Sequence, residues 1–323
     1  MTAGVLDAPF EAAAAALAGA DGVALACHVN PDGDALGSML GMLWALRGAG
    51  RRAVASFAEP FVVAPHYREL PGLDLLVPPG EFPGAPEVMV TFDCGSWGRL
   101  GGLEPAAKAA RELVVIDHHV SNERFGTINL VVPDAPASAA VALRLLDVLG
   151  VPLTRDAAIC FYAALVCDTG RFQYETTTPA VFELARRLSE YDLPIPRLGR
   201  TLFDEHSFAY LGLMGEALAG ARLSPEKHFV WTAVTQDMLR RHDVTMEEVE
   251  GLIDVVRRAQ EAEVAAVLKE EPDGSVRVSL RSQGRVDVQA IACARGGGGH
   301  RLAAGFTSVL SLDAVAAQIL AAL

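Results

Sequence analysis

The chain reads as an α/β protein of two domains, a parallel sheet covered by helices on both faces followed by a smaller α/β unit. Apolar, β-rich runs recur through the first half at 23–27 (VALAC), 52–57 (RAVASF), 88–92 (VMVTF), 113–116 (LVVI) and 128–132 (INLVV), with helical patterns between them at 36–46 and 137–149. Strands that alternate with helices imply parallel pairing, because a parallel neighbour is reached only by a crossover. Two more helical patterns follow at 155–167 and 179–189. The stretch YDLPIPRLGRTLFDEHS then breaks the periodicity with two prolines, and β-rich runs restart at 228–234, 262–270 and 276–282 before a closing helix. The implied boundaries are a first domain at 1–190, a linker at 191–211 and a second domain at 212–323.

Composition narrows the function classes. Half of the 323 residues are hydrophobic (51%) and 21% are charged, a globular balance with room for two cores. No apolar run reaches the roughly 20 residues that span a bilayer. The early AAAAALAGA stretch has no basic residue ahead of it and reads as an alanine-rich amphipathic helix rather than a leader. The five cysteines show no paired spacing, which implies reduced thiols, a cytoplasmic setting and no structural zinc. A net charge of −13 disfavours a protein that tracks long nucleic acid, since such binding needs a basic stripe to displace counterions. An anionic ligand should therefore be small and met locally.

The chemistry lies in the residues at the strand ends. After VALAC comes HVNPDGDALGS, presenting His28, Asp32 and Asp34 on a turn of Asn30, Pro31 and Gly33. Asp93 follows VMVTF, and Asp117, His118 and His119 follow LVVI; Asp168 ends the apolar helix of ALVCDTGRF. Ligands of open parallel sheets bind outside the carboxyl ends of the strands, so three strands deliver Asp and His to one edge. Each has an ordinary structural explanation alone, such as a cap for Asp32. Together, uncompensated carboxylates would raise one another's pKa values and destabilise the fold. Four aspartates carry a formal charge of about −4, which two divalent ions would offset. Mixed Asp and His donors suit Mn²⁺, with Co²⁺, Mg²⁺ or Zn²⁺ as alternatives, and a pair of such ions activates water and clamps a phosphoryl group.

These motifs, in order and context, resemble the four motifs of the DHH phosphoesterases, and ACARGGGGHRLAAG resembles the glycine-rich signature of the DHH-associated C-terminal domain. Size and the lack of further domains resemble the nanoRNase and pAp-phosphatase branch, some members of which cleave cyclic di-AMP or its linear product. The resemblance implies that His28, Asp32 and Asp93 hold one ion, and that Asp34, Asp93, His118 and Asp168 hold the other, with Asp93 as the bridge. It further implies that Asp117 orients the histidines, that His119 faces the substrate phosphate, and that the protein is a homodimer. One departure lies after Pro133, where APASAAVAL carries small residues in place of a Ser-Ser-Thr type run and leaves Ser138 as the lone hydroxyl.

The glycine run has its own physical reading. Without Cβ atoms, Gly296 to Gly299 would let backbone N–H groups form an anion-binding nest. His300, Arg301 and Arg281 stand beside it or on the preceding β-rich run, and an arginine grips phosphate bidentately. Gly297, Gly298, Gly299, His300 and Arg281 are thus the expected substrate contacts. The expected activity is Mn²⁺-dependent hydrolysis of short oligoribonucleotides and of pAp, with cyclic or linear di-AMP as further substrates. The competitors are a manganese inorganic pyrophosphatase, whose C-terminal signature differs from GGGGH, and a non-catalytic nucleotide sensor, which needs no complete two-ion set.

Overall fold

The computed structural model describes residues 3–323, with side chains from Ala8 onward. The chain divides into a first compact unit ending at Asp204 and a second, Glu205–Leu323. In the first unit β1 (Val23–Cys27), β2 (Ala53–Ser56), β3 (Val88–Phe92), β4 (Glu112–Asp117) and β5 (Ile128–Val131) form a sheet of order β2-β1-β3-β4-β5, all parallel. Every residue of β1 and β3 is buried, which is why their sequences are continuously apolar rather than alternating. The helices are α1 (Ala3–Gly19), α2 (Gly33–Gly48), α3 (Glu104–Ala109), α4 (Ser138–Leu149), α5 (Arg155–Asp168), α6 (Pro179–Ser189) and α7 (Ile195–Gly199).

Strand order reverses between β1 and β3, because the chain runs outward from β1 to β2 and then crosses back. Loops leaving β1 and β3 therefore diverge and open a crevice at the carboxyl edge. Helix α2 lies between the sheet and α5, with Leu36, Met39, Leu40, Leu43 and Leu46 all buried. The approach of α5 is so close that a Cβ on Gly37 would stand 2.6 Å from the Cys160 carbonyl oxygen. Leu40→Ala in such a helix costs about 2–5 kcal/mol.

The proline-bearing segment expected to link the domains contains helical turns. Pro194 and Pro196 sit at the entry and first turn of α7, where a missing N–H breaks no helical bond, and residues 200–204 close in a π-helical turn. Helix α8 (Phe208–Ala219) begins the second unit, followed by β6 (Arg222–Ser224), β7 (Phe229–Val234), α9 (Gln236–His242), α10 (Leu252–Val256), β8 (Val264–Glu270), β9 (Val276–Ser282), α11 (Val288–Cys293), β10 (Gly298–His300), β11 (Ala303–Ser308) and α12 (Leu312–Ala322). The sheet order is β10-β11-β9-β8-β7-β6, with β7 and β8 parallel and the other pairs antiparallel. Strand β9 alternates: Val276, Val278 and Leu280 are buried in one core, while Arg277, Ser279 and Arg281 take the other face.

A buried carboxylate ties this second sheet to the turn after β9. Glu263 accepts from Ser282 Oγ at 2.9 Å, from Arg285 N–H and Nε at 2.7 and 2.9 Å, and from Val286 N–H at 3.2 Å. Burial alone would raise its pKa, but these donors outweigh it and hold the carboxyl down at about 2. A carboxylate pKa lowered on folding stabilises fully above the unfolded value of about 4.3 and loses that contribution as pH falls toward the folded value. Glu263→Gln should therefore cost about 1–3 kcal/mol near neutral pH. Thermal unfolding of parent and variant should show the gap narrowing below roughly pH 4; a gap independent of pH would refute the role of the charge.

Candidate active site

The carboxyl edge of the first sheet gathers His28, Asp32, Asp34, Asp93, His118 and Asp168. His28 follows β1, and its Nδ1 lies 2.8 Å from the Val29 carbonyl oxygen. A carbonyl only accepts, so Nδ1 donates to it and Nε2 is turned inward, 3.5 Å from Asp93 Oδ2 and 3.8 Å from Asp32 Oδ2. His118 repeats the device: Nδ1 donates to Ala135 O at 3.0 Å, leaving Nε2 3.2 Å from Asp168 Oδ2, 3.6 Å from Asp93 Oδ1 and 3.8 Å from Asp34 Oδ2. The donor atoms of His28, Asp32 and Asp93 lie within 4.8 Å of one another, as do those of Asp34, Asp93 and His118. Asp93 belongs to both groups. Nitrogen and carboxylate donors without thiolate fit Mn²⁺, Co²⁺ or Mg²⁺ rather than a structural zinc.

Asp32 is both a helix cap and a site group, one oxygen for each task. Its Oδ1 accepts from Asp34 N–H and Ala35 N–H at 3.1 and 3.0 Å, starting α2, while Oδ2 faces His28. Asp34, 1% exposed, accepts from Ser38 Oγ at 2.8 Å, Ser138 N–H at 2.6 Å and Ala139 N–H at 3.1 Å. Its carboxyl oxygens thus cap α4, whose own N-cap residue is Ala137 and supplies no side-chain bond. Ser138 is drawn into the site by the same contact and donates from Oγ to Asp93 Oδ1 at 3.0 Å. Asp93 itself takes a left-handed φ of 56°, a strain of about 1–3 kcal/mol for a non-glycine residue.

The acid of the Asp-His-His run stands behind the histidines. Asp117 is fully buried, and its Oδ1 accepts from His118 N–H at 2.8 Å, His119 N–H at 3.3 Å and His119 Nδ1 at 2.7 Å. Its Oδ2 accepts from Asn122 Nδ2 at 2.5 Å. With Nδ1 committed to Asp117, His119 presents Nε2 on its other side. Asn122 and Ser38 are not among the residues expected from the sequence. Ser38 was recoverable, since it lies one helical turn after Asp34; Asn122 acts through tertiary contact and leaves no such period.

The electrostatics are those of an anionic cavity filling itself with protons. Burial opposes charge on His118, but Asp168, Asp93 and Asp34 outweigh it and push the imidazole up to about 9. His119 is pushed up to about 10, burial again being overcome, by Asp93 and Asp117. Burial and the neighbouring acids lift Asp34 well above the usual carboxylate range, and burial lifts Asp168 to about 6 against the pull of His118. Asp93 moves the other way, since His119, His28 and His118 overcome its burial.

In the second unit Arg281 pairs across strands with Ala303, and Ala303 with His300, so all three lie at one level of neighbouring strands. Directly opposed residues share a face, which sets Arg281 and His300 on either side of a small alanine. The next level on that face is Ser279, Gly305 and Gly298, a floor of small residues. Arg281 NH1 donates to Leu280 O at 3.0 Å, and its Nε is 3.9 Å from Asp254 Oδ1. Gly298 and Gly299 of the glycine run lie in the edge strand β10, and two glycines of the run answer to packing. A Cβ on Gly297 would stand 2.1 Å from Gly305 O, and one on Gly299, at φ 133°, 2.5 Å from Ala303 O. A Cβ on Gly298 would meet nothing within 4 Å.

Residues 22–165 match the DHH family N-terminal domain, and residues 229–322 match the DHHA1 domain. The bifunctional oligoribonuclease and PAP phosphatase NrnA of Thermus thermophilus is 34% identical over 302 residues, 92% of this chain and 88% of that protein. The protein of the same description from Bacillus subtilis is 28% identical over 301 residues, 91% of each chain. An exopolyphosphatase-related protein from Bacteroides fragilis shares the fold with a TM-score of 0.88 at 21% identity, covering 97% of this chain and 94% of that one.

Proton linkage makes the cation-binding capacity of this cluster measurable. His118, pushed up to about 9, holds a proton at pH 7, and a cation at its Nε2 must displace it. Mn²⁺ binding at pH 7 should release about one or more protons per chain, and affinity should climb as pH rises toward about 9. Calorimetric titration in two buffers of different ionisation enthalpy measures the release; buffer-independent heats would contradict it.

Proposed function

This chain belongs to the DHH family, and on that footing we propose that it is a Mn²⁺-dependent phosphoesterase that hydrolyses short oligoribonucleotides to mononucleotides and dephosphorylates pAp. One observation carries the reading: Asp93 stands in two donor groups at once, His28 with Asp32 on one side and Asp34 with His118 on the other. Asp168 adds its carboxylate to the second group through its 3.2 Å approach to His118. The two relatives described as oligoribonucleases and PAP phosphatases, which align over most of the chain, support the substrate class.

In this proposal His28, Asp32 and Asp93 hold one divalent ion, and Asp34, Asp93, His118 and Asp168 hold a second. Mn²⁺ suits the donors best, with Co²⁺ or Mg²⁺ as substitutes. Such ions, when bound, activate water and neutralise charge on the phosphoryl group. The protein's own groups do the rest. Asp117 and Asn122 fix the His119 ring, so that Nε2 meets a phosphate oxygen. Ser138 orients Asp93 by donating to its Oδ1. In the second unit Arg281 and His300 grip the nucleotide over the floor at Gly298, while Gly297 and Gly299 shape the strand beneath. Cyclic and linear di-AMP fall within the same chemistry, and we propose a cytoplasmic homodimer. Long RNA is excluded from the proposed range, because a net charge of −13 supplies no counterion-displacing track.

The test is a time course with Mn²⁺ on pAp, RNA of roughly two to five nucleotides, RNA of about 24 nucleotides, cyclic di-AMP and pyrophosphate. Rates should fall steeply with length, and equal rates on the longest RNA and a dinucleotide would overturn the reading. Asp93→Asn should keep the fold and lose at least about 10³-fold in turnover at saturating Mn²⁺. In the second unit, Gly298 separates binding from folding, since its side-chain space is open. Gly298→Val should leave the unfolding temperature unchanged yet lower kcat/KM roughly 10-fold or more by standing where the nucleotide lies; unaltered kinetics in that variant would remove this floor from the binding surface.

A further inference from the structure

The loop leaving β3 carries a cation that the chemistry above does not use. After Asp93 the chain passes through Cys94 to Ser96 into a 3-10 segment, Trp97–Leu103, and it is pinned from two sides. Toward β1, Val29 N–H donates to Arg99 O at 2.9 Å, one residue beyond His28. Gly101, at φ 53°, packs so tightly there that a Cβ would stand 2.6 Å from Val29 Cγ1. Toward β4, Asn122 Nδ2 donates to Cys94 O at 3.0 Å and Glu123 N–H to Gly95 O at 2.9 Å. The backbone of Arg99 is therefore fixed beside the end of β1, by the loops that also carry His28, Asp93 and His119.

The Arg99 side chain is exposed, and among the described residues no carboxylate oxygen lies within 4.0 Å of its nitrogens. Asp32 is 57% exposed next to His28 and still forms no ion pair with Arg99. The acids are turned inward toward imidazoles and backbone donors, so the nearby loop arginine stays uncommitted. A planar fork of donors on a backbone fixed beside an anionic cluster, yet unpaired with it, matches an incoming phosphate better than an ammonium would.

We propose that Arg99 is a substrate-binding residue of the catalytic unit, taking a phosphate group of the nucleotide that occupies the crevice beside β1. The assignment rests on the phosphoesterase reading for its ligand class, and on loop geometry for its place. The competing role is that of a solvated surface arginine acting only through net charge. Arg52 provides that comparison: it precedes β2 at the opposite end of the strands, is 78% exposed, and lies 4.0 Å from Asp21.

The experiment uses the full chain loaded with Mn²⁺, titrated with AMP and with adenosine, alongside dinucleotide kinetics. Arg99→Gln should keep its Mn²⁺ content, bind AMP about 10- to 100-fold more weakly and raise KM similarly, while adenosine binding is unchanged. Arg99→Lys should recover part of the loss, and Arg52→Gln should stay within about twofold of the parent. The proposal is overturned if Arg99→Gln binds AMP as the parent does, if Arg52→Gln loses as much, or if the parent does not bind AMP. A parent that binds AMP through Arg99 but cleaves no phosphoester would overturn the phosphoesterase reading and leave the Arg99 assignment standing.

Discussion

Negative charge concentrated at the carboxyl edge of one parallel sheet is the constraint on which the rest of this structure depends. Asp34, Asp93 and Asp117 are each almost wholly buried, and an uncompensated ionised carboxylate in such a place would be several kcal/mol unfavourable. Compensation comes from every neighbouring element. The N-terminus of α4 is spent on Asp34, two backbone N–H groups and an asparagine amide are spent on Asp117, and a serine hydroxyl is spent on Asp93. Three imidazoles supply what the neutral donors do not. Two of them are locked by backbone carbonyls and the third by Asp117, so all three rings meet the acids in set orientations.

Sheet topology decides where that charge collects. The reversal of strand order between β1 and β3 opens space at their carboxyl ends, and the residues following β1, β3 and β4 fall into it. The packing of α5 on α2 then brings Asp168, at the end of α5, to the same place. Fold stability and chemistry are thereby coupled at single residues: Asp32 starts α2, Asp34 starts α4, and Asp93 adopts a left-handed φ that the surrounding bonds must sustain. Truncating Asp32 or Asp34 disturbs both functions, so activity alone cannot separate them there. Residues off this network, such as Gly298 and Arg99, separate them better.

Much of this was legible in the sequence, and the parts that were not share a cause. All five strands of the first sheet follow from apolar runs, and most of the acids and histidines of the site from the three of those runs that end in titratable residues. The contacts of Ser138 and Asn122 were not legible, because their partners are 45 or 104 positions away in one case and held by a loop turn in the other. The glycine run was read as an anion-binding nest because glycine lets backbone N–H groups approach a ligand; that Gly297 and Gly299 also satisfy close contacts with β11 is something no local pattern encodes. Within residues 191–211 the short helix α7 was not legible either, since prolines that break a periodicity are also compatible with the first turn of a helix.

Whether the buried acids are arranged for a pair of cations sharing Asp93 is tested most directly by anomalous diffraction at the manganese edge on crystals grown with Mn²⁺. Two anomalous peaks about 3.5–4 Å apart are expected, one among His28, Asp32 and Asp93 and one among Asp34, Asp93, His118 and Asp168. A single peak, or two peaks of which only one contacts Asp93, would contradict the shared-carboxylate arrangement.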